Sequence, residues 1–476
     1  MTTLTPHRTL IKGGHVITMD DVLGDLAGGD VLIEDGEIRE VAPSLDVAEC
    51  ETIDAAGKIV LPGFVDTHRH TWQTQLRNVA ADWTLFDYVA GMRFCYSSFY
   101  SADDACLGNY AGALEALDSG ITTLVDHSHI MNTPEHADAA VDGLTDAGIR
   151  AVFCYGMFGN PVREKGKGAA DSGFETPEWH FDDVRRLRER RLSSDDALVT
   201  MGIALNELET LPTEAARREI EFARELGARR LSCHVAMGAI SARARLVEKL
   251  GSEGLIGPDL LFVHGASLTD EELSLIADSG AAVSVTPETE VQMGMGHPVT
   301  GRVLASGACT SLGIDIVSNY SGDMFAQMRL GLQIERFRRN SVLEGQGLAP
   351  RKILFTARDI LRIATLDGAR AAGLEKHVGS LTPGKQADVT LISTDTLNMA
   401  PVNDPVGAVV LSANAGNVDT VLVAGRAVKR GGRLIDVDLP RLARRLGESR
   451  DRITAGAASV DTDGLRELMA PLFPLG

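Results

Sequence analysis

Short apolar runs alternate with periodic helical segments through the middle of the chain, from about residue 63 to residue 370. The apolar runs have the length and β-branched content of buried strands, as in ITTLVDHSH, IRAVFCYGMF, ALVTMGIALNE, RRLSCHVAM, LLFVHGAS, AAVSVTP and LGIDIVS. Between them lie segments such as PTEAARREIEFARELG and LTDEELSLIADSG, the second of which has Thr269 three residues before Glu272, as in a capping box. Roughly seven or eight such units predict a closed barrel of parallel strands. An open doubly wound sheet is the competing interpretation, but the chain contains no GxGxxG motif.

A pattern of short strands and turns flanks this region at both ends. Before it, TLIKGGHVITMD and DVLIEDGEIREVA place β-branched residues around Gly-Gly and Asp-Gly pairs, which is typical of hairpins. After it, VGSLTPGKQADVTLIS and VDTVLVAGRAVKRGG repeat the pattern. Two unrelated appendages would explain this, but a single small β-domain built from both chain ends is the more economical hypothesis. We therefore expect four regions: 1–62 and 371–440 as the two parts of the β-domain, 63–370 as the barrel and 441–476 as a helical tail.

Composition and charge narrow the class of protein. The chain has 476 residues, of which 44% are hydrophobic, so it has enough apolar side chains for a folded core. Lys and Arg number 46 against 66 Asp and Glu, and the net charge of −20 argues against nucleic acid as a partner. No apolar run approaches the length of a membrane span, and the first residues do not resemble a signal peptide. Six scattered cysteines without a CxxC pair predict reduced thiols, and we expect a cytoplasmic protein.

Two histidine pairs follow apolar strands. His68 and His70 flank Arg69 at the end of the first predicted barrel strand, and alternation along a strand puts both imidazoles on one side, where they could share a metal. This signal is weak by itself, because His127 and His129 form a second pair of the same kind.

Further metal-ligating residue types end later strands. His234 ends RRLSCH, His264 ends LLFVH and Asp315 ends SLGID. The carboxyl ends of barrel strands converge on one face, which is where active sites of such barrels are built. Three imidazoles and a carboxylate suit Zn²⁺, Fe²⁺ or Mn²⁺ with one position left for water.

The motifs resemble those of the amidohydrolase superfamily, in particular its branch of cytosine deaminases, S-adenosylhomocysteine deaminases and triazine hydrolases. The similar segments are LPGFVDTHRHTWQTQLRN, GGDVLIEDGEIREVAP and TIDAAGKIVLPGFVDTH near the start, and IATLDGARAAGLEKHVGSL, LTPGKQADVTLIS and VDTVLVAGRAVKRGG near the end. They span nearly the whole chain. The resemblance implies an α/β fold, a distorted (β/α)₈ TIM-type barrel with a composite β-sandwich from both chain ends.

The resemblance also implies a ligand set. It assigns His68, His70, His234 and Asp315 to one divalent metal, with Zn²⁺ preferred and Fe²⁺ or Mn²⁺ as alternatives. It places His264 beside the metal, hydrogen-bonded to the attacking water or to the substrate.

Binuclear relatives hold two metals with a carbamylated lysine on the fourth strand. The only lysines between the first and second groups of metal ligands are Lys165 and Lys167, in the polar segment VREKGKGAA. The predicted fourth strand, ALVTMGIALNE, contains no lysine, so we expect a mononuclear site.

This ligand set implies a hydrolytic mechanism. A bound metal lowers the pKa of water towards about 7 and so provides a nucleophile at neutral pH. Asp315 would take the proton of that water and pass it to the leaving group. His264 would stabilise the developing oxyanion or orient the nucleophile.

One position departs from the deaminase pattern. In deaminases of this branch the metal-binding histidine of the fifth strand opens an HxxE motif, whose glutamate exchanges protons with a ring nitrogen, but this sequence has Met237 there. A thioether cannot act as a general acid or base. We therefore consider Glu207 and Glu288 as catalytic replacements, because both follow predicted strands. Glu290 is a less favoured replacement and is predicted instead to contact the substrate.

Several other residues near the strand ends are predicted to contact the substrate. Trp72 and Gln73 follow the first histidine pair, and His127 and His129 end the next strand. Met237 is included because it stands where the deaminase glutamate would be. For Trp72 and the two histidines, a purely structural role is an equally good explanation.

The sequence thus predicts a metal-dependent hydrolase that attacks a C–N bond of a small nitrogen heterocycle, with hydrolytic deamination as the leading reaction. The absence of a glutamate at Met237 favours a first alternative, hydrolysis of an amide, ring C–N or C–halogen bond by the same site. A second alternative is a non-catalytic descendant that binds a ligand, against which the complete ligand set argues. The family resemblance favours a homodimer.

Overall fold

The computed structural model describes residues 7–160 and 175–475. Within these ranges lie the following strands: β1 (Arg8–Val16), β2 (Leu26–Glu34), β3 (Glu37–Ala42), β4 (Glu51–Asp54), β5 (Lys58–Pro62), β6 (Phe64–Arg69), β7 (Ile121–Ser128), β8 (Arg150–Gly156), β9 (Val199–Ala204), β10 (Leu231–Val235), β11 (Leu260–His264), β12 (Ala282–Val285), β13 (Cys309–Leu312), β14 (Val389–Ser393), β15 (Val418–Val423), β16 (Arg426–Arg430) and β17 (Arg433–Leu434).

The same ranges contain the following α-helices: α1 (Leu85–Tyr88), α2 (Ala102–Asp118), α3 (Pro134–Ala147), α4 (Glu178–Arg190), α5 (Thr213–Glu225), α6 (Leu246–Ser252), α7 (Asp270–Ser279), α8 (Pro287–Gln292), α9 (Thr300–Ser306), α10 (Met324–Glu344), α11 (Ala357–Ile363), α12 (Leu366–Ala371), α13 (Pro405–Gly407), α14 (Leu439–Ala457) and α15 (Thr462–Met469). Of the helices described, none is long and apolar enough to cross a membrane.

Strands β6 to β13 form the predicted barrel, in chain order and with every neighbouring pair parallel. The first and last strands meet through an isolated bridge between Arg69 and Asp315. There the Asp315 N–H donates to the His68 carbonyl and the His70 N–H donates to the Asp315 carbonyl, both at 2.8 Å. The barrel therefore closes at the predicted metal ligands. This confirms the barrel and excludes the open doubly wound sheet.

The helices between the strands begin where the sequence signals predict. Thr269 caps α7, since its hydroxyl accepts from the Glu272 N–H and the Glu272 carboxylate accepts from the Thr269 N–H, both at 3.2 Å. This is the predicted capping box, and it satisfies two of the N–H groups that a helix start leaves without partners. Helix α7 then returns the chain to the start of β12 and keeps β11 and β12 parallel.

The second sheet contains nine strands and draws on both ends of the chain. Its order is β17-β16-β15-β14-β5-β1-β2-β3, with β4 beside β1. Strand β5 from the first part pairs antiparallel with β14 from the last part, with Val60 opposite Leu391. A β-domain assembled from both ends is thus confirmed, whereas the domain limits given above stay a prediction.

Two connections fix the β-domain to the barrel. Strand β5 ends at Pro62 and β6 begins at Phe64, so the chain passes directly from one sheet to the other. The buried Arg150 guanidinium at the start of β8 binds the buried Asp388 carboxylate just before β14, at 2.9 Å. The β-domain therefore lies at the end of the barrel where the strands begin, which leaves the opposite mouth free for the site.

Candidate active site

Five side chains converge at the carboxyl ends of the barrel strands. The His68 Nε2 and His70 Nε2 atoms lie 3.5 Å and 3.3 Å from Asp315 Oδ1, and His234 Nε2 lies 3.3 Å from His68 Nε2. The potential ligand atoms of His68, His70 and Asp315 lie within 4.8 Å of one another, and so do those of His68, His234 and His264. All five side chains are buried.

Hydrogen bonds on the far side of two rings point the other ring nitrogen inward. His70 Nδ1–H donates to the His127 carbonyl at 2.8 Å, and His234 Nδ1–H donates to Glu207 Oε1 at 2.9 Å. Burial lowers the pKa of His70 well below its usual value, so this ring is neutral. Burial acts the same way on His234, but the Glu207 carboxylate outweighs it and holds the pKa of His234 above its usual value. In the neutral His70 ring the Nε2 lone pair is thereby directed at the centre, and the bond to Glu207 turns Nε2 of His234 toward His68.

His264 is held through a threonine. Its Nδ1–H donates to Thr286 Oγ1 at 2.9 Å, and the Thr286 hydroxyl donates to Glu290 Oε1 at 3.3 Å. The Thr286 N–H also donates to this oxygen, at 2.8 Å, and Glu290 is fully buried. This chain of bonds places a proton on Nδ1 and turns the opposite ring nitrogen toward the other convergent side chains.

The backbone bends sharply where the convergent residues stand. His264 has φ 75° and Asp315 has φ 69°, in the left-handed region that residues other than glycine seldom adopt. Ala236, two residues after His234, has φ 51°. Such conformations cost about 1–3 kcal/mol each and concentrate at functional sites. They end the strands abruptly and turn the side chains across the mouth of the barrel.

The donor set fits a divalent metal. Imidazole nitrogens with one carboxylate are the ligands of catalytic zinc sites and of similar Fe²⁺ or Mn²⁺ sites. The short distances between His68, His234 and Asp315 place lone pairs opposite one another, an arrangement that a cation between them stabilises. Burial lowers the pKa of His68 to about 4, so this ring too is neutral and able to ligate.

A cavity of about 490 Å³ opens on this centre. Its lining is mainly apolar and aromatic, with a few polar and charged groups, and consists of His70, Leu85, Tyr88, Val89, Arg93, Phe94, His129, Phe158, Glu207, Glu209, Thr210, His234, Met237, Ile240, Ser241, Ala244, His264, Thr289, Met293, Met295, Asp315, Ile316, Met469 and Phe473. The volume suits a drug-sized or smaller molecule, and a mainly apolar lining with few polar groups is typical of small-molecule sites.

Glu209 is a cavity residue that the sequence did not reveal. Its Oε1 accepts the Ala236 N–H at 2.8 Å, so the carboxyl is fixed to the segment that follows β10. Burial raises the pKa of Glu209 to about 7. Glu209 stands two residues after Glu207 in the sequence, but nothing in that spacing indicates that both carboxyl groups reach the cavity.

Arg93 and the end of the chain were also missed. Arg93 is buried, donates from Nη1 to the His129 carbonyl at 2.9 Å and lies over the Phe158 ring at 4.7 Å from its centroid. Met469 at the end of α15 and Phe473 beyond it complete the cavity wall. Only a helical tail was predicted there, since residues so far along the chain carry no pattern that links them to the barrel.

The residues predicted to contact substrate fall into two groups. Met237 and His129 line the cavity, and the His129 ring stacks on His70 at 4.0 Å between centroids. Two others hold cavity residues from behind: Trp72 Nε1–H donates to His129 Nδ1 at 3.0 Å, and Gln73 Nε2 donates to the Tyr88 hydroxyl at 2.6 Å.

His127 and Glu290 also stand behind the cavity surface. His127 Nδ1 bonds the Ser232 hydroxyl at 2.9 Å, and its ring stacks on His234 at 4.4 Å between centroids. Glu290 supports His264 through Thr286, as described above. Direct substrate contact by these residues, and by Trp72 and Gln73, stays a prediction.

Of the two predicted catalytic glutamates, Glu207 lines the cavity and Glu288 is not among its lining residues. Glu288 Oε2 accepts from Gln327 Nε2 at 2.8 Å, on the side facing α10. Their catalytic roles stay predictions. Lys165 and Lys167 lie outside the described residues, and β9 carries no lysine, so the expectation of a single metal also stays a prediction.

Comparison with known proteins identifies the family of this chain. The model of the Amidohydrolase family matches residues 59–428. The chain is 28% identical over 438 residues to a 5-methylthioadenosine/S-adenosylhomocysteine deaminase of Symbiobacterium thermophilum, which covers 88% of this chain and 93% of that relative. It is 29% identical over 428 residues to a 5'-deoxyadenosine deaminase of Methanothermobacter thermautotrophicus, covering 88% of this chain and 94% of that relative.

Solved structures share the fold. An adenosine deaminase from Xanthomonas campestris with bound zinc superposes with a TM-score of 0.82 at 23% identity, over 95% of this chain and all of that one. A variant of atrazine chlorohydrolase from Arthrobacter aurescens, complexed with zinc and atraton, superposes with a TM-score of 0.81 at 22% identity, over 93% of this chain and all of that one. The resemblance seen in the sequence is confirmed, and the chain belongs to the amidohydrolase family of metal-dependent hydrolases acting on C–N bonds.

Proposed function

We propose that this protein hydrolytically deaminates a small nitrogen heterocycle, replacing an exocyclic amino group by oxygen and releasing ammonia. The observation that carries the proposal is the convergence of four buried imidazoles and Asp315 beside a cavity of about 490 Å³, which all of them except His68 line. Zn²⁺ is the proposed metal, and His68, His70, His234 and Asp315 are its proposed ligands, because this donor set suits it. Zinc bound to the two structural relatives also supports that choice.

The metal, when bound, supplies the Lewis acid that makes water nucleophilic near neutral pH. Asp315 has a carboxylate oxygen facing the imidazole cluster, where it can accept a proton from the attacking water and release it to the departing amine. His264 presents the nitrogen opposite Nδ1, which can accept a hydrogen bond and orient that water. The apolar cavity wall excludes bulk water and strengthens these interactions.

Deamination is favoured over other reactions by the relatives. The two curated relatives described above are named for deamination of adenosine derivatives, and they match most of this chain. An apolar, Met- and Phe-lined cavity fits a flat heterocycle that carries an apolar substituent. Purines are therefore the first substrate class to examine, with pteridines, pyrimidines and triazines next.

Hydrolysis of an amide, a ring C–N bond or a C–halogen bond is the second candidate. Met237, which lines the cavity where a deaminase of this branch has a glutamate, is the observation that favours it. Loss of a halide or an alkoxide needs less help from a ring-nitrogen acid than loss of ammonia. A screen that measures ammonia and halide separately distinguishes the two.

The decisive experiment is ammonia release by zinc-loaded protein from aminated purines, pteridines, pyrimidines and triazines near neutral pH. We expect at least one of these ring systems to be turned over. The Asp315→Asn variant should fold normally, but its kcat should fall by at least about 100-fold, the usual contribution of a general acid–base group. Circular dichroism and metal content serve as controls. The proposal would be contradicted if a protein with one metal per chain released no ammonia from any of these compounds, or if the variant kept near wild-type turnover.

We further propose a homodimer and a cytoplasmic location. The family resemblance supports the dimer, and light scattering on purified protein tests it. None of the six cysteines, which all lie within the described residues, forms a disulfide bond, and this is typical of proteins in a reducing compartment.

A further inference from the structure

The proposed reaction leaves one proton without a carrier. A ring nitrogen next to the attacked carbon must gain a proton as that carbon becomes tetrahedral, and Met237 has no proton to give. Met237 begins the short turn Gly238–Ile240 after β10 and lines the cavity. Any substitute carboxyl has to reach the same part of the cavity from another strand.

Glu209 reaches this place from the neighbouring strand. It belongs to the short 3₁₀ turn Leu208–Thr210 that follows β9, and its Oε1 accepts the N–H of Ala236, the residue before Met237. Glu209 and Met237 both line the cavity. A carboxyl group is thus held by a backbone bond beside the position where the deaminase pattern has its glutamate.

The environment of Glu209 favours its protonated form. Burial is the main cause, and the nearby carboxylates of Glu207 and Glu272 act in the same direction, while hydrogen bonds from Ala236 and Ser241 oppose it. The resulting pKa of about 7 lies where a group can both give and take a proton at neutral pH.

The other glutamates considered for this role are engaged elsewhere, and Glu290 among them bonds Thr286 behind the cavity surface. Glu207 Oε1 accepts from His234 Nδ1 at 2.9 Å, so this carboxylate is engaged in holding a proposed metal ligand. If Glu207 gave up this bond to protonate a substrate, it would release the ring that it orients. Glu288 bonds Gln327 and is not among the residues that line the cavity.

We propose that Glu209 is the proton carrier of this enzyme, donating to the ring nitrogen of the substrate in place of a carboxyl at position 237. This inference rests on the proposed function and specifies how a deaminase of this family works without the HxxE glutamate. In this proposal the proton-donating carboxyl lies in the loop after β9 and not in the loop after β10.

The proton balance closes with two carboxyl groups. As a C–O bond forms between water and the ring carbon, one water proton goes to Asp315 and the Glu209 carboxyl proton goes to the ring nitrogen. On collapse the C–N bond to the amino group breaks, Asp315 returns its proton to the leaving group as ammonia, and the new hydroxyl gives its proton to Glu209. The product keeps the N–H as a lactam, and both carboxyls regain their starting state without any further reactant.

Glu209→Gln is the primary test, because the amide oxygen can still accept the Ala236 N–H while the acid is removed. We expect kcat for ammonia release to fall by at least about 100-fold, with KM within about threefold and zinc content unchanged. In the wild type, turnover should fall as pH rises through about 7, because the protonated carboxyl disappears, and the variant should lose that limb. Ammonia release within about threefold of wild type would overturn the proposal.

Moving the carboxyl group from position 209 to position 237 distinguishes a catalytic role of Glu209 from a structural one. The double variant Glu209→Gln with Met237→Glu should recover at least about tenfold of the lost kcat, since an acid again faces the same ring nitrogen. Its matched control, Glu209→Gln with Met237→Gln, should recover nothing. Equal recovery by both, or by neither, would contradict a proton-carrier role for Glu209.

Binding of purine, which has no amino group to lose, separates this inference from the proposed function. A neutral Glu209 donates to a ring nitrogen, so calorimetry should show affinity falling as pH rises from about 6 to about 8 in the wild type and staying level in Glu209→Gln. If the protein released ammonia from none of the substrates tested, the deaminase proposal would be overturned. Identical pH dependence of purine binding in the two proteins would overturn the Glu209 proposal, whether or not ammonia is released.

Discussion

Two Glu-X-Glu segments follow strands of this barrel, and they use their carboxylates differently. After β9, Glu207 binds a ring nitrogen of His234 directly, and Glu209 lines the cavity. After β12, Glu290 supports His264 only through Thr286, and Glu288 is bonded to Gln327, away from the cavity lining. In each segment one glutamate fixes a histidine, but only the first segment presents carboxyl groups to the cavity.

The turn that follows each strand accounts for the difference. The 3₁₀ turn Leu208–Thr210 begins directly after Glu207, so the chain crosses the mouth of the barrel before α5 begins. The second segment lies within α8, Pro287–Gln292, which begins immediately beyond Thr286. Side chains two residues apart on a helix point to different sides, so those of Glu288 and Glu290 cannot point in the same direction. The local turn, more than the residue type, decides which carboxyl can take part in chemistry.

The largest effect on the metal is expected from Glu207→Ala. Without its acceptor, His234 loses the bond that directs Nε2 inward, and removal of such a partner typically costs about 10- to 100-fold in metal affinity. Competition with a chelator of known zinc affinity measures this. Glu209→Gln is the matched control and should leave the affinity within about threefold.

Measuring turnover of Glu207→Ala in excess zinc distinguishes a positioning role of Glu207 from a catalytic one. If Glu207 acts by positioning His234, saturating zinc should restore most of the turnover of Glu207→Ala. A large loss of kcat that persists at full zinc occupancy would instead support the direct catalytic role that the sequence analysis considered for Glu207.

A smaller effect is expected from Glu290→Gln. This change weakens the chain from Glu290 through Thr286 to His264, and we expect kcat to fall by about tenfold, the lower end of what such partners contribute, with zinc affinity unchanged. Thr286→Val breaks the same chain. Because both act through one bond network, the double variant should be scarcely worse than either single one. Additive losses in kcat would show that Glu290 acts on something other than His264.

The barrel and its convergent residues could be predicted because each of those residues carries a strong local signal. His234 and His264 end apolar strands, and the parallel topology then brings all such ends to one face. The pairing of β5 with β14 was predictable for the same reason, since short strands with turn residues recur at both chain ends. The fold and the convergence of these side chains follow from patterns that extend over many residues.

The rest of the cavity could not be predicted in this way. That both Glu207 and Glu209 line the cavity depends on a single 3₁₀ turn, Leu208–Thr210, which leaves no periodic pattern in the sequence. Trp72 follows the first histidine pair and is predicted to contact the substrate, yet another 3₁₀ turn, Thr71–Leu76, buries it completely, with its N–H donating to His129. Phe473 joins the cavity wall through tertiary packing against Phe86, with 5.1 Å between ring centroids, and no local sequence feature encodes that contact.

The smallest effect on turnover is expected from Glu288→Gln. Gln327 can still bond the new amide, and Glu288 is not among the residues lining the cavity, so kcat should stay within about twofold of wild type. A fall of about 100-fold would instead support the catalytic role considered for Glu288.

The same variant should change stability in a pH-dependent way. Burial, with a further contribution from Asp323, raises the pKa of Glu288 to about 7 from a usual value of 4.5. A folded pKa above the unfolded one means that folding binds a proton, so this group stabilises the protein below about pH 4.5 and its contribution is lost as pH rises to about 7. Glu288→Gln removes this dependence, and its free energy of unfolding relative to wild type should therefore rise between pH 5 and pH 8, as urea denaturation at both values would measure. An unchanged difference at the two pH values would mean that Glu288 is ionised without cost and does not resemble Glu209.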